Sequence, residues 1–329
     1  MTAKQTRVAK IIASPPPLYG AIDLGTNSCR LLIAKVTNNG IKIVDAYSKS
    51  VRLGEGLNKT GKLNKNAKQR TMASLKSIKQ KIQKHNIISL RAVATEACRQ
   101  ARDGQEFLAQ IKRDIGIDFE IIDNKEEAIL ASEGCSSLLF PNIKNALIFD
   151  IGGGSTQLSW LENQAVKSTL SIPYGVVTLT DKIGTDTLSS SAFVEKVSFI
   201  QEYMQELFSD IHSGNDRYQL LGTSGTITTL TGTLLNLRQY NRDRVDGQTV
   251  LRSDLLNLTR DLASMTTAER CKIPCIGTER AQLMMAGCVI LHAICGMCQT
   301  NEILVADRGI REGILLRLIN NTQKEKRID

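Results

Sequence analysis

Two stretches of the chain carry the same pattern of apolar and polar positions. Residues 19–36 and 146–160 each read as an apolar strand ending in Asp-x-Gly, a short turn of Gly, Ser, Thr or Asn, and a second apolar strand. Apolar runs separated by such turn residues predict β-hairpins. The aspartates of the two copies, Asp23 and Asp150, lie 127 residues apart, so the sequence predicts two topologically similar lobes. Between the hairpins, strands are expected at 41–47, 90–94 and 119–122. Residues 65–84 place Met72, Leu75, Ile78 and Ile82 on one stripe with lysines elsewhere, the pattern of an amphipathic helix with a basic outer face. Another helix is expected over 126–139, capped by Asp123 or Asn124. Further helices are expected over 191–208, 253–264 and 280–298, and residues 220–226 read as a strand running into a small-residue loop. Strands alternating with helices give an α/β class. Residues 1–17, ending in Pro15-Pro16-Pro17, read as a flexible leader, because a proline run enters neither a helix nor a central strand.

The 329 residues, 42% apolar, suffice for two medium domains with their own cores. No stretch approaches the ~18–20 uninterrupted apolar residues of a membrane span. Eight cysteines are scattered over a chain with no recognisable export signal, so they read as reduced thiols and the expected location is the cytoplasm. Cys288, His292, Cys295 and Cys298 share one long helix, and the Leu, Met and Ile around them favour core packing over zinc. Charge is unevenly spread. Residues 1–120 hold 22 Lys and Arg against 9 Asp and Glu, a net of +13, whereas the remainder carries −4. Between Gly56 and Thr95 there are ten basic side chains and no acidic one, which favours a polyanionic partner.

Three loops offer phosphate chemistry: Asp23-Leu-Gly25-Thr26-Asn27-Ser28, Asp150-Ile-Gly152-Gly153-Gly154-Ser155-Thr156, and Gly222-Thr-Ser224-Gly225-Thr226. Glycines admit a ligand close to the backbone, N–H and hydroxyl groups donate to phosphate oxygens, and each aspartate can hold Mg²⁺. The spacing is neither that of a Walker A loop nor of a Rossmann fingerprint. A phosphate cleft between the lobes is the expectation.

Together with Ala94-Thr-Glu-Ala-Cys-Arg99, Ile121-Ile-Asp-Asn-Lys-Glu-Glu-Ala128 and Asp307-Arg-Gly-Ile-Arg-Glu-Gly313, these blocks resemble the exopolyphosphatase and guanosine pentaphosphate phosphohydrolase family, within the actin-like superfamily of acetate and sugar kinases and Hsp70. The resemblance runs from about residue 19 to 315. It implies two ribonuclease-H-like lobes, 18–130 and 131–307, with a C-terminal helix within 308–329 packing back on the first and an active-site cleft between them. It also implies removal of a terminal phosphate with Mg²⁺, or alternatively Mn²⁺. Glu127 falls on the family's catalytic glutamate, Asp23 and Asp150 on its metal-site aspartates, and Asn27, Ser28 and Arg99 on its terminal-phosphate contacts. The implied partner is inorganic polyphosphate or a nucleoside polyphosphate, not nucleic acid or a membrane, and a homodimer is one assembly it allows. Where the family usually has glutamate, this chain has Gln157, as the related apyrases commonly do. Glutamine accepts a hydrogen bond from water but supplies no charge. Sixteen residues follow Gly313, so the chain resembles the short, two-domain form. The leading expectation is an exopolyphosphatase; the alternatives are a guanosine pentaphosphate phosphohydrolase and a catalytically weak polyphosphate-binding sensor.

Overall fold

The computed structural model describes residues 16–37, 40–206, 208–209 and 217–325. All but the last two residues of the expected leader lie outside them. In the first lobe, strands β1 (Leu18–Leu24), β2 (Ser28–Thr37), β3 (Gly40–Ser50), β4 (Ile87–Ala94) and β5 (Glu120–Ile121) form one sheet in the order β3-β2-β1-β4-β5. β2 runs antiparallel to β1 and β3, while β4 and β5 run parallel to β1. Its helices are α1 (Leu57–Thr60), α2 (Lys65–Gln83), α3 (Glu96–Gln100), α4 (Gly104–Ile115) and α5 (Asn124–Cys135).

The second lobe repeats this order. Strands β6 (Asn145–Ile151), β7 (Thr156–Glu162), β8 (Ala165–Ile172), β9 (Tyr218–Thr223), β10 (Thr249–Leu251) and β11 (Glu302–Ala306) form the sheet β10-β11-β9-β6-β7-β8, in which β10 is an added antiparallel edge. The two hairpins share one register. Asp23 pairs with Arg30 across β1 and β2, and Asp150 pairs with Gln157 across β6 and β7. The remaining helices are α6 (Val176–Ile183), α7 (Ser190–Glu202), α8 (Gly225–Leu234), α9 (Arg242–Val245), α10 (Arg252–Ser264), α11 (Thr267–Cys271), α12 (Gly277–Met297) and α13 (Ile310–Glu325).

The helix expected over 191–208 ends at Glu202, and two other boundaries differ from the sequence reading for plain local reasons. The Asp123 side chain accepts a hydrogen bond from Glu126 N at 2.7 Å, so α5 starts at Asn124, and it gives way to a 3₁₀ turn after Cys135. The expected loop after Thr223 is a single residue, Ser224, and α8 begins at once.

Burial is arranged around the two sheets. On one face of the first, Leu75 and Ile78 of α2 and Phe107 and Ile111 of α4 meet Ile22, Leu31 and Ile33. On the other, Leu130 of α5 and Ile314, Leu315 and Ile319 of α13 cover Tyr19, Ala21, Leu32 and Val93. The C-terminal helix therefore belongs to the first lobe's core although it follows the second lobe's last strand. In the second lobe α12 is the core helix, and Cys288 and Cys295 are fully buried on it. His292 Nδ1 lies 2.9 Å from Thr259 Oγ1, and among the described residues no three His, Cys, Asp or Glu side chains gather as a metal cage. The cysteines are packing groups.

α13 crosses α5 at glycines. A Cβ on Gly313 would lie 2.0 Å from Leu130 O, and one on Gly134 would lie 2.1 Å from Gly309 O. Both contacts are to backbone, so neither is relieved by a rotamer change. Gly313→Ala should force the helices apart and destabilise the fold by about 1–3 kcal/mol, the usual cost of overpacking. Thermal melting checks this, and a variant melting with the wild type would contradict the crossing.

Candidate functional site

A cavity of about 400 Å³ lies between the lobes, with the two hairpin turns facing one another across it. The turns are closed alike: Gly25 N donates to Ser28 O at 2.9 Å, and Gly152 N to Ser155 O at 3.0 Å. Each is also held from behind through its carbonyls. In the first lobe, Thr26 O accepts from Gly54 N (3.0 Å), and Asn27 O from Val51 N (2.8 Å) and Arg52 N (2.9 Å). In the second, the N-terminus of α6 does this work: Val176 N reaches Gly152 O (2.9 Å), Val177 N reaches Gly153 O (2.8 Å), and the Thr178 hydroxyl reaches Gly154 O (2.8 Å). Because a peptide's C=O and N–H point in opposite directions, the N–H groups of Asn27, Gly153, Gly154 and Ser155 are turned to the cavity side.

The turns approach closely. A Cβ on Gly153 would sit 2.9 Å from Asn27 N, and one on Gly154 would sit 2.6 Å from Thr26 Oγ1. Thr26 Oγ1 itself is buried and has no hydrogen-bond partner. A buried hydroxyl left unpaired costs on the order of 1–3 kcal/mol, so an anionic oxygen in the cavity would be bound favourably there. The third loop contributes a helix N-terminus. Ser224, held at φ +90°, donates its hydroxyl to Ile151 O at 2.8 Å, and the first turn of α8 opens into the cavity at Gly225 and Thr226.

Charge is concentrated on the same walls. Burial raises Asp23 above the usual carboxylate range, against the pull of Arg30 and Arg311. Burial likewise pushes Asp150 up to about 6, with Arg30 opposing and Asp23 adding. Glu127, from α5, is pushed up to about 8 by burial; Arg99 opposes this, while Asp150 and Asp23 add to it. Among the described residues, the Arg30 and Arg311 guanidinium groups have no hydrogen-bond or ion-pair partner, although both line the cavity. The charge of Arg311 is disfavoured by burial. Two unpaired guanidinium groups and a row of N–H donors facing one space make an anion site.

The sequence profile of the Ppx/GppA phosphatase family matches residues 32–322. The chain belongs to this family. Among solved structures, an exopolyphosphatase from Cytophaga hutchinsonii has a TM-score of 0.85 at 25% identity, covering 92% of this chain and 98% of that one. The Aquifex aeolicus member of the Ppx/GppA family has a TM-score of 0.77 at 27% identity, covering 94% and 99%. Both sheets thus belong to the actin-like, ribonuclease-H-like fold. The guanosine-5'-triphosphate,3'-diphosphate pyrophosphatase of Aeromonas salmonicida is 28% identical over 93% of this chain and 60% of its own length. The chain therefore spans about three-fifths of that curated relative.

Of the residues expected at the site in this Ppx/GppA chain, Asp23, Gly25, Thr26, Asn27, Ser28, Glu127, Asp150, Gly152, Gly153, Gly154, Ser155, Gln157, Ser224, Gly225 and Thr226 line the cavity, beside further charged residues that include Glu96, Arg280, Asp307, Arg308 and Glu312. Three of the expected site residues are elsewhere. Arg99, expected at the terminal phosphate, is absent from the lining: its guanidinium donates to Ile122 O (2.5 Å), Glu127 Oε2 (3.2 Å), Glu96 and Asn124. In this arrangement it orients Glu127. Thr156 turns its hydroxyl to Tyr174 O at 2.8 Å. Gly222 is a packing glycine, whose Cβ would lie 2.3 Å from the Phe149 ring. Gln157 keeps its place in the wall and donates to Ser155 Oγ at 2.8 Å.

Arg30 and Arg311 are the unpaired cations that reading the sequence missed, and Glu96, Arg280, Asp307, Arg308 and Glu312 line the same cavity. A signal for the first existed, since a residue directly opposite Asp23 in a hairpin puts its side chain on the same sheet face as that aspartate. Arg311 sits in the Asp307–Gly313 block, where neighbouring Glu312 is already used by Arg242 (2.8 Å) and Gly309 N (2.9 Å).

Three carboxyl groups with raised values give the folded state protons that the unfolded chain would release. Their contribution to stability is full below the unfolded values of 3.8 for Asp and 4.5 for Glu, and it is lost as pH rises toward about 8. In chelator, the melting temperature should fall more steeply between pH 5 and pH 8 for the wild type than for Glu127→Gln. Parallel pH profiles for the two proteins would show that this carboxyl is not strained.

Proposed function

We propose that the protein releases orthophosphate from the end of inorganic polyphosphate. The observation that carries this reading is the pair of opposed turns, with their N–H groups and the orphan Thr26 hydroxyl facing the same space as the unpaired Arg30 and Arg311. Glu127 completes the set a phosphoanhydride hydrolase requires. Turn donors and arginines bind the non-bridging oxygens of the terminal phosphate, where charge accumulates as the bridging P–O bond lengthens. Glu127, once ionised, accepts the proton of the attacking water as the new P–O bond forms; burial raises its affinity for that proton and the Arg99 charge favours its ionised form. Arg99 fixes the carboxylate's direction.

Asp23 and Asp150 fit a divalent cation, because Mg²⁺ commonly takes one or two carboxylates and completes its shell with phosphate oxygens and water. When bound, Mg²⁺ or Mn²⁺ would add positive charge against the phosphate oxygens.

No Phe, Tyr, Trp or His side chain lines the cavity among the described residues, so no ring is offered to a nucleobase, which supports the polyphosphate reading. The second reading, guanosine pentaphosphate as substrate, is favoured by the names of the Aeromonas relatives. Phosphate release from both substrates, assayed in parallel with Mg²⁺ and Mn²⁺, separates the two. Tight polyphosphate binding with no release from either would make the protein a sensor.

Glu127→Gln should lower turnover by ~10²–10⁴ with binding retained. Glu126→Gln should cost little, since Glu126 faces Arg91 (2.6 Å) and Arg317 (3.5 Å) outside the cavity. Arg99→Ala should lower turnover while leaving KM nearly unchanged, whereas a large rise in KM would return Arg99 to the phosphate. Gln157→Glu should shift the divalent-ion requirement, and an unchanged metal profile would place residue 157 outside the reacting groups.

A further inference from the structure

Glu96 is a buried carboxyl that lines the cavity and takes no part in the hydrolytic step described above. It opens α3, and Arg99 follows one turn later, so the two side chains leave the same face of the helix. Both oxygens of Glu96 are taken: Oε2 accepts from Arg99 and Oε1 from the Gln100 amide. Its stem is fixed as well. A Cβ on Gly154 would lie 2.8 Å from Glu96 Cγ, so the second lobe's turn rests against this side chain. A carboxyl held at both oxygens and along its stem is suited to orienting a neighbour.

That neighbour sits between two anions. The Arg99 guanidinium pairs with Glu96 on its own helix and with Glu127 on α5, the latter at 3.2 Å, and gives its remaining donors to Ile122 O and Asn124. The Glu96 and Glu127 side chains are each only 10% exposed, so one cation serves two carboxyl groups where water reaches poorly. When Glu127 takes the proton of the attacking water, it loses the charge that holds the guanidinium. A mostly buried cation short of negative charge turns to the nearest anion, and in this cleft that anion is the phosphate. The charge of Glu96 keeps Arg99 compensated throughout.

We propose that Glu96 is a positioning residue that commits Arg99 to Glu127 and keeps it off the phosphate. The inference rests on the hydrolase reading above and adds a competition to it: the charge at position 96 raises turnover and weakens ground-state binding.

The test compares wild type, Glu96→Gln, Arg99→Ala and the double variant, with tripolyphosphate as the probe and both binding and phosphate release measured. Glutamine keeps the size of the side chain and removes its charge. Glu96→Gln should lower kcat about tenfold and, because the freed guanidinium pairs with the phosphate, tighten tripolyphosphate binding roughly three- to tenfold. The opposite movement of the two quantities is the signature, since a loosened fold would worsen both. In the Arg99→Ala background Glu96→Gln should change neither quantity by more than about twofold, because residues that act through one partner are not additive. Weaker binding together with lower kcat in Glu96→Gln, no change in either, or the full effect persisting without Arg99 would overturn the assignment. A raised Mg²⁺ requirement in Glu96→Gln would also overturn it, placing residue 96 at the metal. A wild type that binds tripolyphosphate but releases no phosphate would refute the hydrolase reading alone; the role of Glu96 would then stand or fall on tighter binding in Glu96→Gln that disappears with Arg99→Ala.

Discussion

The architecture depends on bringing two backbone turns from different lobes almost into contact without burying their carbonyls unpaired. Glycine at 153 and 154 permits the approach, because a side chain at either position would meet the Thr26–Asn27 turn. The clamps from residues 51–54 and from α6 take up the carbonyls, and in doing so they decide which way the peptide dipoles face. The result is a small volume surrounded by N–H donors before any side chain is considered. An anion is the species such a volume stabilises best.

Duplication explains why the site has two aspartates, and its imperfection explains how their charge is managed. Asp23 and Asp150 end equivalent strands, but the residue opposite is Arg30 in the first lobe and Gln157 in the second. Arg30 acts on both aspartates, and Arg311 adds its charge from α13, the helix that leaves the second lobe to pack on the first. The C-terminal helix thus links the stability of the first lobe to the charge of the cleft. Glu127 lies on the helix that α13 crosses, so the Gly134–Gly313 crossing also sets the depth of its carboxyl in the cleft.

Much of this was legible in the sequence, because the signals were local and repeated. The matching hairpins gave the two lobes, and the Asp-x-Gly turns gave most of the cavity wall. What escaped depends on three-dimensional closure. Arg99 carries the charge expected of a phosphate ligand, yet its reach is taken by Glu96, Asn124, Glu127 and Ile122 O, partners that become its neighbours only when α3 and α5 pack together. Thr156 and Gly222 belong to phosphate-like motifs, but the Thr156 hydroxyl turns to Tyr174 O and Gly222 packs against the Phe149 ring, because a strand alternates its faces and the motif spans both. Arg311 could not be singled out within a block of four charged residues until the ion pairs of its neighbours were known.

The most direct measurement is a structure with a non-hydrolysable tripolyphosphate analogue and Mg²⁺. The terminal phosphate should lie between the two turns, within hydrogen-bonding distance of Asn27 N, Gly153 N, Gly154 N and Thr26 Oγ1, with Arg30 and Arg311 on its non-bridging oxygens and Arg99 still on Glu127. A terminal phosphate held by Arg99, or one bound outside the turns with Arg30 and Arg311 unengaged, would contradict this arrangement.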